Sequence, residues 1–316
     1  MKNHLTAALI LLILLSGFIA CDDDDSTDST SLNGTARFEI TDAPIDDASV
    51  SAVFVTVTDV QVDGQSIEGF NTTTVDVLAL QNGNTDLLAS TELEAGSYSN
   101  VTLTLDFDTD ANGNSPGCYV EENGGAIKHK LESTSNELTL AADVFIEASQ
   151  QVTFVLDFDL RKTVQREDNQ GDDYEFVSQS ELEAGIRVVA ESETGVISGT
   201  FSDMLSNSDK VVVYAYKTGE YNQSVETSGQ GRSNIEFANA VSSAQIDANG
   251  NYSLHFLEEG EYELHYFSFE ENSSGETELS ASLTVDVIGS LNLNAINLSA
   301  QSTTSVNVVV TGFLPI

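Results

Sequence analysis

Apolar and polar residues alternate along most of the chain, with short breaks rich in Gly, Asn, Asp and Ser. A period of two is typical of a β-strand with one buried face, and no stretch carries the 3.6-residue period of a long helix. The clearest alternations predict strands at residues 53–57, 101–107, 138–140, 154–160, 186–188, 211–215, 252–256, 262–266 and 306–310. Closely spaced short strands with such turns indicate β-sandwiches or barrels, so we predict an all-β protein with little helix.

The apolar parity changes within one predicted strand. Val53, Val55 and Val57 fall on one face, whereas Val60 and Val62 fall on the other. A β-bulge or an exchange of faces produces such a shift, so we predict an irregularity near the middle of this strand.

The composition changes near residues 191–195, where a new β segment begins. The stretches 33–191 and 192–316 are each long enough to enclose a core. We therefore predict two β-sandwich domains in tandem, of Ig-like or transthyretin-like kind.

Residues 1–20 have the properties of a secretory signal peptide: a cationic start, an apolar run and a small residue before Cys21. The apolar run is shorter than the ~20 residues that cross a bilayer as a helix. Residues 18–21, Phe-Ile-Ala-Cys, resemble the bacterial lipobox, although Phe18 and Ile19 depart from its usual pattern. The resemblance implies cleavage before Cys21 and lipidation of its thiol.

Residues 21–32 form an acidic, polar tether that begins with four aspartates, 22–25. A segment so polar cannot bury apolar surface and is expected to stay flexible. The aspartates also resemble an export tag of Gram-negative outer-membrane lipoproteins; a generic acidic linker explains them equally well. Two or three acyl chains anchor a protein firmly. The resemblance to the export tag implies that the protein is held on the outer membrane, facing outward.

The charge balance restricts the partners. The chain has 51 Asp and Glu against 11 Lys and Arg, a formal net charge of −40. Such a surface repels phosphate backbones, which excludes nucleic-acid binding, and it favours cations. The expected partners are the membrane, through the N-terminal lipid, and an extracellular glycan or protein.

Cysteine usage predicts no internal disulfide. Cys21 and Cys118 are the two cysteines of the chain, and a lipidated Cys21 cannot pair. We expect Cys118 to be a small buried residue. A catalytic thiol would need a nearby base, for which His129 is the candidate close in sequence.

Residues 108–114 match the first half of an EF-hand calcium loop, with oxygen ligands at alternate positions and Gly at the sharp turn. The candidate ligands are Asp108, Asp110, Asn112 and Asn114. The second half does not match, because Tyr119 stands where a bidentate Glu is expected; Glu121 or Glu122 could complete the site. Turn chemistry in a hairpin explains the same residues without calcium.

Two carboxylate pairs raise the possibility of acid–base chemistry on a glycan. Asp106 and Asp108, and likewise Asp157 and Asp159, are two apart, so each pair shares a strand face. With 51 acidic residues, however, such pairs are expected without any function. The sequence lacks the metalloprotease, nucleophile-elbow and phosphate-loop motifs, and we predict no catalytic residue and no cofactor other than the calcium considered above.

The first segment resembles the bacterial lipoprotein domain of unknown function 4382. The resemblance rests on Thr-Asp-Ala-Pro at 41–44, Glu-Ala-Gly-Ser-Tyr at 94–98, Leu-Asp-Phe-Asp at 156–159 and Ile-Arg-Val at 186–188. The family has no established activity, so the resemblance implies location and fold rather than chemistry.

The second segment is similar to carboxypeptidase-regulatory-like sandwiches of transthyretin type. The similarity rests on residues 195–199, 211–215, 247–254 and 260–264. In such domains the turn glycines and strand tyrosines are structural, which implies a spacer or binding module. We therefore predict a non-enzymatic cell-envelope lipoprotein that binds, adheres or spaces; the alternatives are a calcium-dependent binding module and a glycan-processing enzyme.

Overall fold

The computed structural model of the protein describes residues 32–43, 50–122, 124–125, 127–166, 174–204, 210–271 and 277–316. Within these ranges strands dominate and the helices are short, so the all-β prediction is confirmed. The predicted signal peptide, Cys21 and nearly all of the acidic tether lie outside them. No helix in the described ranges is long and apolar enough to cross a membrane.

The first segment contains most of its residues in strands, joined by short turns. Its strands are β1 (Asn33–Ala43), β2 (Val50–Val62), β3 (Gln65–Ser66), β4 (Thr73–Asp76), β5 (Asp86–Glu94), β6 (Gly96–Leu105), β7 (Tyr119–Glu122), β8 (Ile127–Lys130), β9 (Glu137–Ile146), β10 (Gln151–Asp159), β11 (Val164–Arg166), β12 (Tyr174–Phe176) and β13 (Ile186–Ala190). The helices α1 (Leu160–Thr163) and α2 (Gln179–Ala184) follow β10 and β12, and 3-10 turns lie at Val77–Leu80 and Glu191–Glu193.

Two sheets of the first segment pack face to face. Among the described residues, one has the strand order β13-β10-β1-β5 and the other β8-β7-β2-β6-β9. Their inner faces share one buried core, to which Phe38 and Phe154 contribute from the first sheet and Val55 and Leu103 from the second. Burying each such side chain contributes about 1.5–3 kcal/mol. The pairing of β1 with β10 is parallel, whereas β1 with β5 and β10 with β13 are antiparallel.

The predicted irregularity in the long strand β2 is confirmed. Its pairing with β6 changes register between Val57 and Asp59, which is where the apolar parity shifts. Because the extra residue turns the following side chains to the opposite face, Val60 and Val62 stay in the core. The strand β6 itself ends at Leu105, two residues before the predicted end.

The second segment is also built from strands. They are β14 (Thr194–Ser202), β15 (Lys210–Lys217), β16 (Ser242–Gln245), β17 (Asn251–Glu258), β18 (Gly260–Glu271), β19 (Thr277–Val287), β20 (Ile296–Leu298), β21 (Thr303–Ser305) and β22 (Val308–Pro315), with a short helix α3 (Gln223–Glu226) between β15 and β16. In the described ranges their main order is β16-β15-β18-β19-β22-β14-β17. The last strand of the first segment ends at Ala190, and the first strand of the second segment begins at Thr194. Contacts nevertheless group residues 32–316 into one compact unit. Two separate domains therefore stay a prediction.

The segment 218–241 covers the outer face of β15. This strand is buried on both faces: Val213 and Ala215 face the core of the second segment, whereas Tyr214 and Tyr216 pack under the covering segment with Phe237. The rings of Tyr214 and Phe237 stack at 4.1 Å between centroids. The same covering segment also reaches the first segment, as described next.

Candidate binding site

Parallel pairing brings several charged residues together where β1 and β10 end. In this register Thr41 lies beside Asp157 and Ala43 beside Asp159, and the antiparallel strand β13 places Arg187 opposite Asp157. Asp42, Asp157 and Asp159 are all buried, with exposed fractions of 6%, 5% and 5%. Carboxylates are rarely buried so completely without cationic partners.

Two of the three carboxylates are paired with cations. Asp157 accepts a hydrogen bond from Arg187 Nη2. Asp159 Oδ2 accepts from Arg161 Nη2 at 2.6 Å and lies 3.5 Å from Lys162 Nζ. Burial lowers the pKa of Lys162 to about 8, against the opposing attraction of Asp159. These ion pairs offset much of the free energy that it costs to bury the charges. Removing one partner would leave the other charge buried without compensation.

Asp42 differs from its two neighbours. Its Oδ1 accepts the Leu160 amide at 3.3 Å, and its Oδ2, like Oδ1 of Asp159, is buried without a hydrogen-bond partner. Unlike Asp157 and Asp159, Asp42 forms no ion pair among the described residues. Burial raises the pKa of Asp42 well above its ordinary value, and repulsion by Asp157 and Asp159 raises it further. Asp42 is therefore an under-satisfied buried acid.

The cations of this cluster also bind the second segment. Arg161 Nη1 donates to the carbonyl oxygens of Glu236 and Phe237 at 3.0 and 2.8 Å, and Lys162 Nζ donates to that of Ala240. Arg187 Nη1 donates to the Phe256 carbonyl at 3.3 Å. Each cation therefore joins a carboxylate of the first segment to the backbone of the second.

Glu181 of α2 makes a second polar connection. Its Oε1 accepts the backbone amides of Arg232 and Ser233 at 2.5 and 3.3 Å, and its Oε2 accepts the hydroxyls of Ser233 and Ser178. Burial raises the pKa of this carboxyl, but these hydrogen bonds outweigh burial and bring it to about 2. The covering segment is thus held to α2 by an ionised carboxylate.

A tight turn of the first segment packs on a histidine of the second. Gly83, at φ +78°, lies so close to the ring of His255 that an added Cβ would stand 2.3 Å from Nδ1. The neighbouring Phe256 also has a positive φ, of 52°, which is unusual for an aromatic residue and indicates backbone strain. Burial lowers the pKa of His255, so the ring is neutral at pH 7.

A cavity of about 400 Å³ lies between these contacts. It is lined by both segments: Asp42, Asp157 and the turn at Gly83 from the first, and β16 and β17 with the turn between them from the second. The hydroxyl of Ser243, in β16, is buried in this lining without a hydrogen-bond partner. A second cavity, of about 600 Å³, shares Gly83, His255 and Phe256 with the first, so the two flank one contact.

The residues predicted to bind calcium lie in an exposed loop between β6 and β7, away from this cavity. Asp110 Oδ1 accepts the amides of Asn112 and Asn114 at 2.9 and 2.8 Å, and Asp108 pairs with Lys130 at 2.7 Å. These hydrogen bonds are those of an Asx turn, as expected if the residues form a turn rather than a calcium site. No group of three or more His, Cys, Asp or Glu in the described ranges is arranged to hold a metal ion, and calcium binding here stays a prediction.

The acids proposed to complete that site are engaged elsewhere. Glu121 lies 3.5 Å from Lys128, and buried Glu122 contacts His129 at 3.0 Å and Arg166 at 2.9 Å. Cys118 is fully buried, as expected. Burial raises its pKa to about 12, so the thiol is poorly suited to nucleophilic chemistry.

Of the two carboxylate pairs in the sequence, one belongs to the buried acidic cluster beside the cavity. Asp157 and Asp159 join Asp42 there, whereas Asp106 caps the turn after β6 by accepting the amides of Asp108 and Thr109. No local sequence pattern indicated that Ser243 and His255 lie at this cavity. Asp42 and Arg187 belong to the family motifs at 41–44 and 186–188, but the motifs assigned no chemical role to either residue.

Comparison with known proteins identifies one family. The profile described as "Domain of unknown function (DUF4382)" matches residues 33–178, so the predicted resemblance is confirmed. No curated protein matches the sequence.

Three solved structures show weak similarity. They are the Bacillus anthracis TIE protein (11% identity, TM-score 0.20, 88% of this chain and 34% of that chain), a leucine-rich repeat protein from Bacteroides thetaiotaomicron (12%, 0.23, 88% and 26%) and BcpA, the major pilin subunit of Bacillus cereus (10%, 0.22, 88% and 70%). The chain spans about a third of the first protein and a quarter of the second. At these TM-scores none of the three assigns a function.

Proposed function

Taking residues 33–178 as a domain of the DUF4382 family, we propose that the protein is a non-enzymatic binding module of the cell envelope. Its ligand occupies the cavity between the two β segments. The observation that carries the proposal is that a cavity of about 400 Å³ lies where the two segments meet and is lined by polar residues of both.

The cavity has the size and composition of a ligand site. Its volume of about 400 Å³ falls within the ~300–1,000 Å³ of small-molecule sites. Tyr252 and Phe256 add aromatic surface to the polar lining.

The surroundings hold the site in place without a ligand. The cations Arg161, Lys162 and Arg187 join the two segments beside the acidic cluster, and Glu181 joins them through the covering segment. A site held in this way loses little conformational entropy when it binds, which favours affinity.

The location is proposed from the sequence. Cleavage before Cys21 and acylation of its thiol would hold the protein on the outer membrane, with residues 22–32 as a tether. On the outer face, the partner is an extracellular glycan or protein.

Metabolic labelling with an alkyne fatty acid tests the anchor. The wild type should incorporate label and sediment with membranes, whereas Cys21→Ser should do neither. Cys118→Ser is the matched control, because Cys118 is buried and should leave labelling unchanged. Labelling of Cys21→Ser would overturn the anchor.

Ligand screening tests the cavity, using the mature chain with Cys21→Ser so that no lipid is present. Glycan and peptide libraries are compared between this protein and a Ser243→Phe variant, which introduces a bulky side chain into the cavity lining. Ser90→Phe, at an exposed position of β5, is the control. A ligand lost with Ser243→Phe and retained with Ser90→Phe supports the proposal; equal binding by all three contradicts it. Turnover of a glycan by the same protein would make it an enzyme instead.

A further inference from the structure

Accessible side-chain amides line both cavities at the junction of the two segments. Asn82 and Gln245 are exposed residues of the first cavity, and Gln151 and Gln301 are exposed residues of the second. No side-chain hydrogen bond joins any of these four amides to another described residue. Their N–H donors and carbonyl acceptors can therefore bind a ligand without the loss of a contact within the protein.

The residues that line the two cavities provide no cation for an acidic ligand. Neither lining contains Lys or Arg, and burial lowers the pKa of His255, so its ring is neutral at pH 7. Asp42 and Asp157 are buried, and the carboxylate of exposed Asp247 accepts the amides of its own turn. Because the chain carries a net charge of −40, carboxylate, sulfate and phosphate groups are repelled from this site. An uncharged ligand suits it better than an acidic one.

His255 and Phe256 line both cavities. Both residues are half-buried, so they remain accessible to a ligand. The face of an aromatic ring attracts the polarised C–H groups on the apolar side of a sugar. Phe256, at φ 52°, and Gln301, at φ 55°, are in the left-handed region, where a residue other than glycine is strained. Strained residues cluster at ligand sites, and these two line the cavities.

These groups match a sugar chain better than a peptide. A sugar hydroxyl both donates and accepts hydrogen bonds, as does a side-chain amide. A peptide is selected through pockets for its apolar side chains or through clusters of charge. The four exposed amides are polar and uncharged, which favours hydroxyl groups as their partners.

Resting on the proposed function, we propose that the ligand is an uncharged glycan chain with sugar units in both cavities. The amides of Asn82 and Gln245 bind hydroxyls of a sugar in the first cavity, and those of Gln151 and Gln301 bind a sugar in the second. Phe256 packs on the chain between them. Each cavity alone, of about 400 and 600 Å³, has the volume of a small-molecule site, so a ligand that occupies both contains more than one sugar.

Arrays of glycans and peptides test the class of ligand, using the mature Cys21→Ser protein. The glycans are neutral oligosaccharides, uronic-acid oligosaccharides and glucosamine oligomers. At least one neutral oligosaccharide should bind, and more tightly than the charged glycans and the peptides. Calorimetry then compares the neutral tetrasaccharide that binds best with the disaccharide of the same sugar and linkage. The tetrasaccharide should bind at least tenfold more tightly, because it reaches both cavities.

Substitutions locate the sugar units. Gln245→Ala and Gln151→Ala should each weaken binding of the tetrasaccharide about three- to tenfold, the effect of one lost hydrogen bond. Gln65→Ala, at an exposed position of β3 that lines neither cavity, is the matched control and should leave binding unchanged. Phe256→Ala should weaken binding at least tenfold. Thermal melts establish that each variant is folded, and the two glutamine variants provide the readout if Phe256→Ala is not.

The outcomes separate this inference from the proposed function. Binding of a charged glycan as tightly as a neutral one, or equal binding by the wild type and both glutamine variants, overturns the inference. Weakening by Gln245→Ala without weakening by Gln151→Ala overturns the extension into the second cavity. If peptides bind and glycans do not, the glycan inference fails and the binding module stands. If neither array gives a ligand, both proposals fail.

Discussion

Asp110 and Asp247 accept the same set of hydrogen bonds in two identical pentapeptides, Asp-Ala-Asn-Gly-Asn, one in each β segment. Each Oδ1 accepts the amides two and four residues later, at 2.9 and 2.8 Å from Asp110 and at 2.8 and 2.7 Å from Asp247. The glycines have matching φ values of +82° and +81°. The pentapeptide therefore specifies its own turn, with no metal ion required.

This pair separates turn chemistry from calcium binding. Because Asp110 and Asp247 accept the same hydrogen bonds in the same turn, Asp110→Ala and Asp247→Ala should each lower the melting temperature, and by similar amounts. Thermal melts with and without calcium provide the measurement. A calcium-dependent rise in melting temperature that Asp110→Ala abolishes and Asp247→Ala preserves would establish the calcium site; the turn account expects no such difference.

The contact between Gly83 and His255 predicts a large effect of one methyl group. Gly83→Ala combines a positive φ with a clash against the ring, whereas Gly113→Ala has a similar φ and no atom within 4 Å of its Cβ. Gly113→Ala, the control, should lower the free energy of unfolding by about 1 kcal/mol, and Gly83→Ala should lower it by about 1–3 kcal/mol more. Urea unfolding measures both. Equal losses would mean that the two segments do not meet at His255.

Asp42 predicts a stability difference that depends on pH. Because burial raises its pKa, the folded protein binds this proton more tightly than the unfolded chain, and stability decreases as pH rises above the ordinary carboxyl range near 4. Asp42→Asn should therefore be more stable than the wild type at pH 8 by about 1 kcal/mol or more, with the advantage decreasing towards pH 4. Asp143→Asn should show no such trend in denaturant titrations at the two pH values.

Glu181 predicts the opposite dependence. Its pKa is lowered to about 2, so its contribution to stability is present above about pH 4.5 and is lost as pH falls towards 2. Glu181→Gln should cost about 1–2 kcal/mol at pH 7 and progressively less at pH 3. Glu92→Gln, at an exposed position of β5, is the control, and a pH-independent loss would contradict the role assigned to the charge.

The Cys118 thiol should be unreactive while the protein is folded. With a pKa of about 12, only about one thiol in 10⁴ is ionised at pH 8, and the sulfur is buried. An aromatic disulfide reagent should label Cys118 of the Cys21→Ser protein only after denaturant is added. Rapid labelling of the folded protein would show that the thiol is accessible.

Local patterns were sufficient for the strands but not for the site. The alternation around Val101 and Phe154 and the parity shift between Val57 and Val60 depend only on residues that are close together in sequence. A short stretch is therefore enough to predict these strands. The cluster depends on Asp42 lying beside a strand more than a hundred residues later, in a parallel pairing that no local period encodes. The covering segment 218–241 has no periodicity at all, so its contacts with α1 and α2 could not be predicted.

The parallel pairing of β1 with β10 also has a consequence for how the chain folds. β1 lies between β5 and β10, so one of its edges stays without a partner until residues 151–159 are available. Long-range pairing of this kind makes folding slow and leaves a strand edge open to other chains. For a protein that emerges amino terminus first, β1 is therefore completed only after β10 has emerged, and the acid cluster at its end cannot form before then.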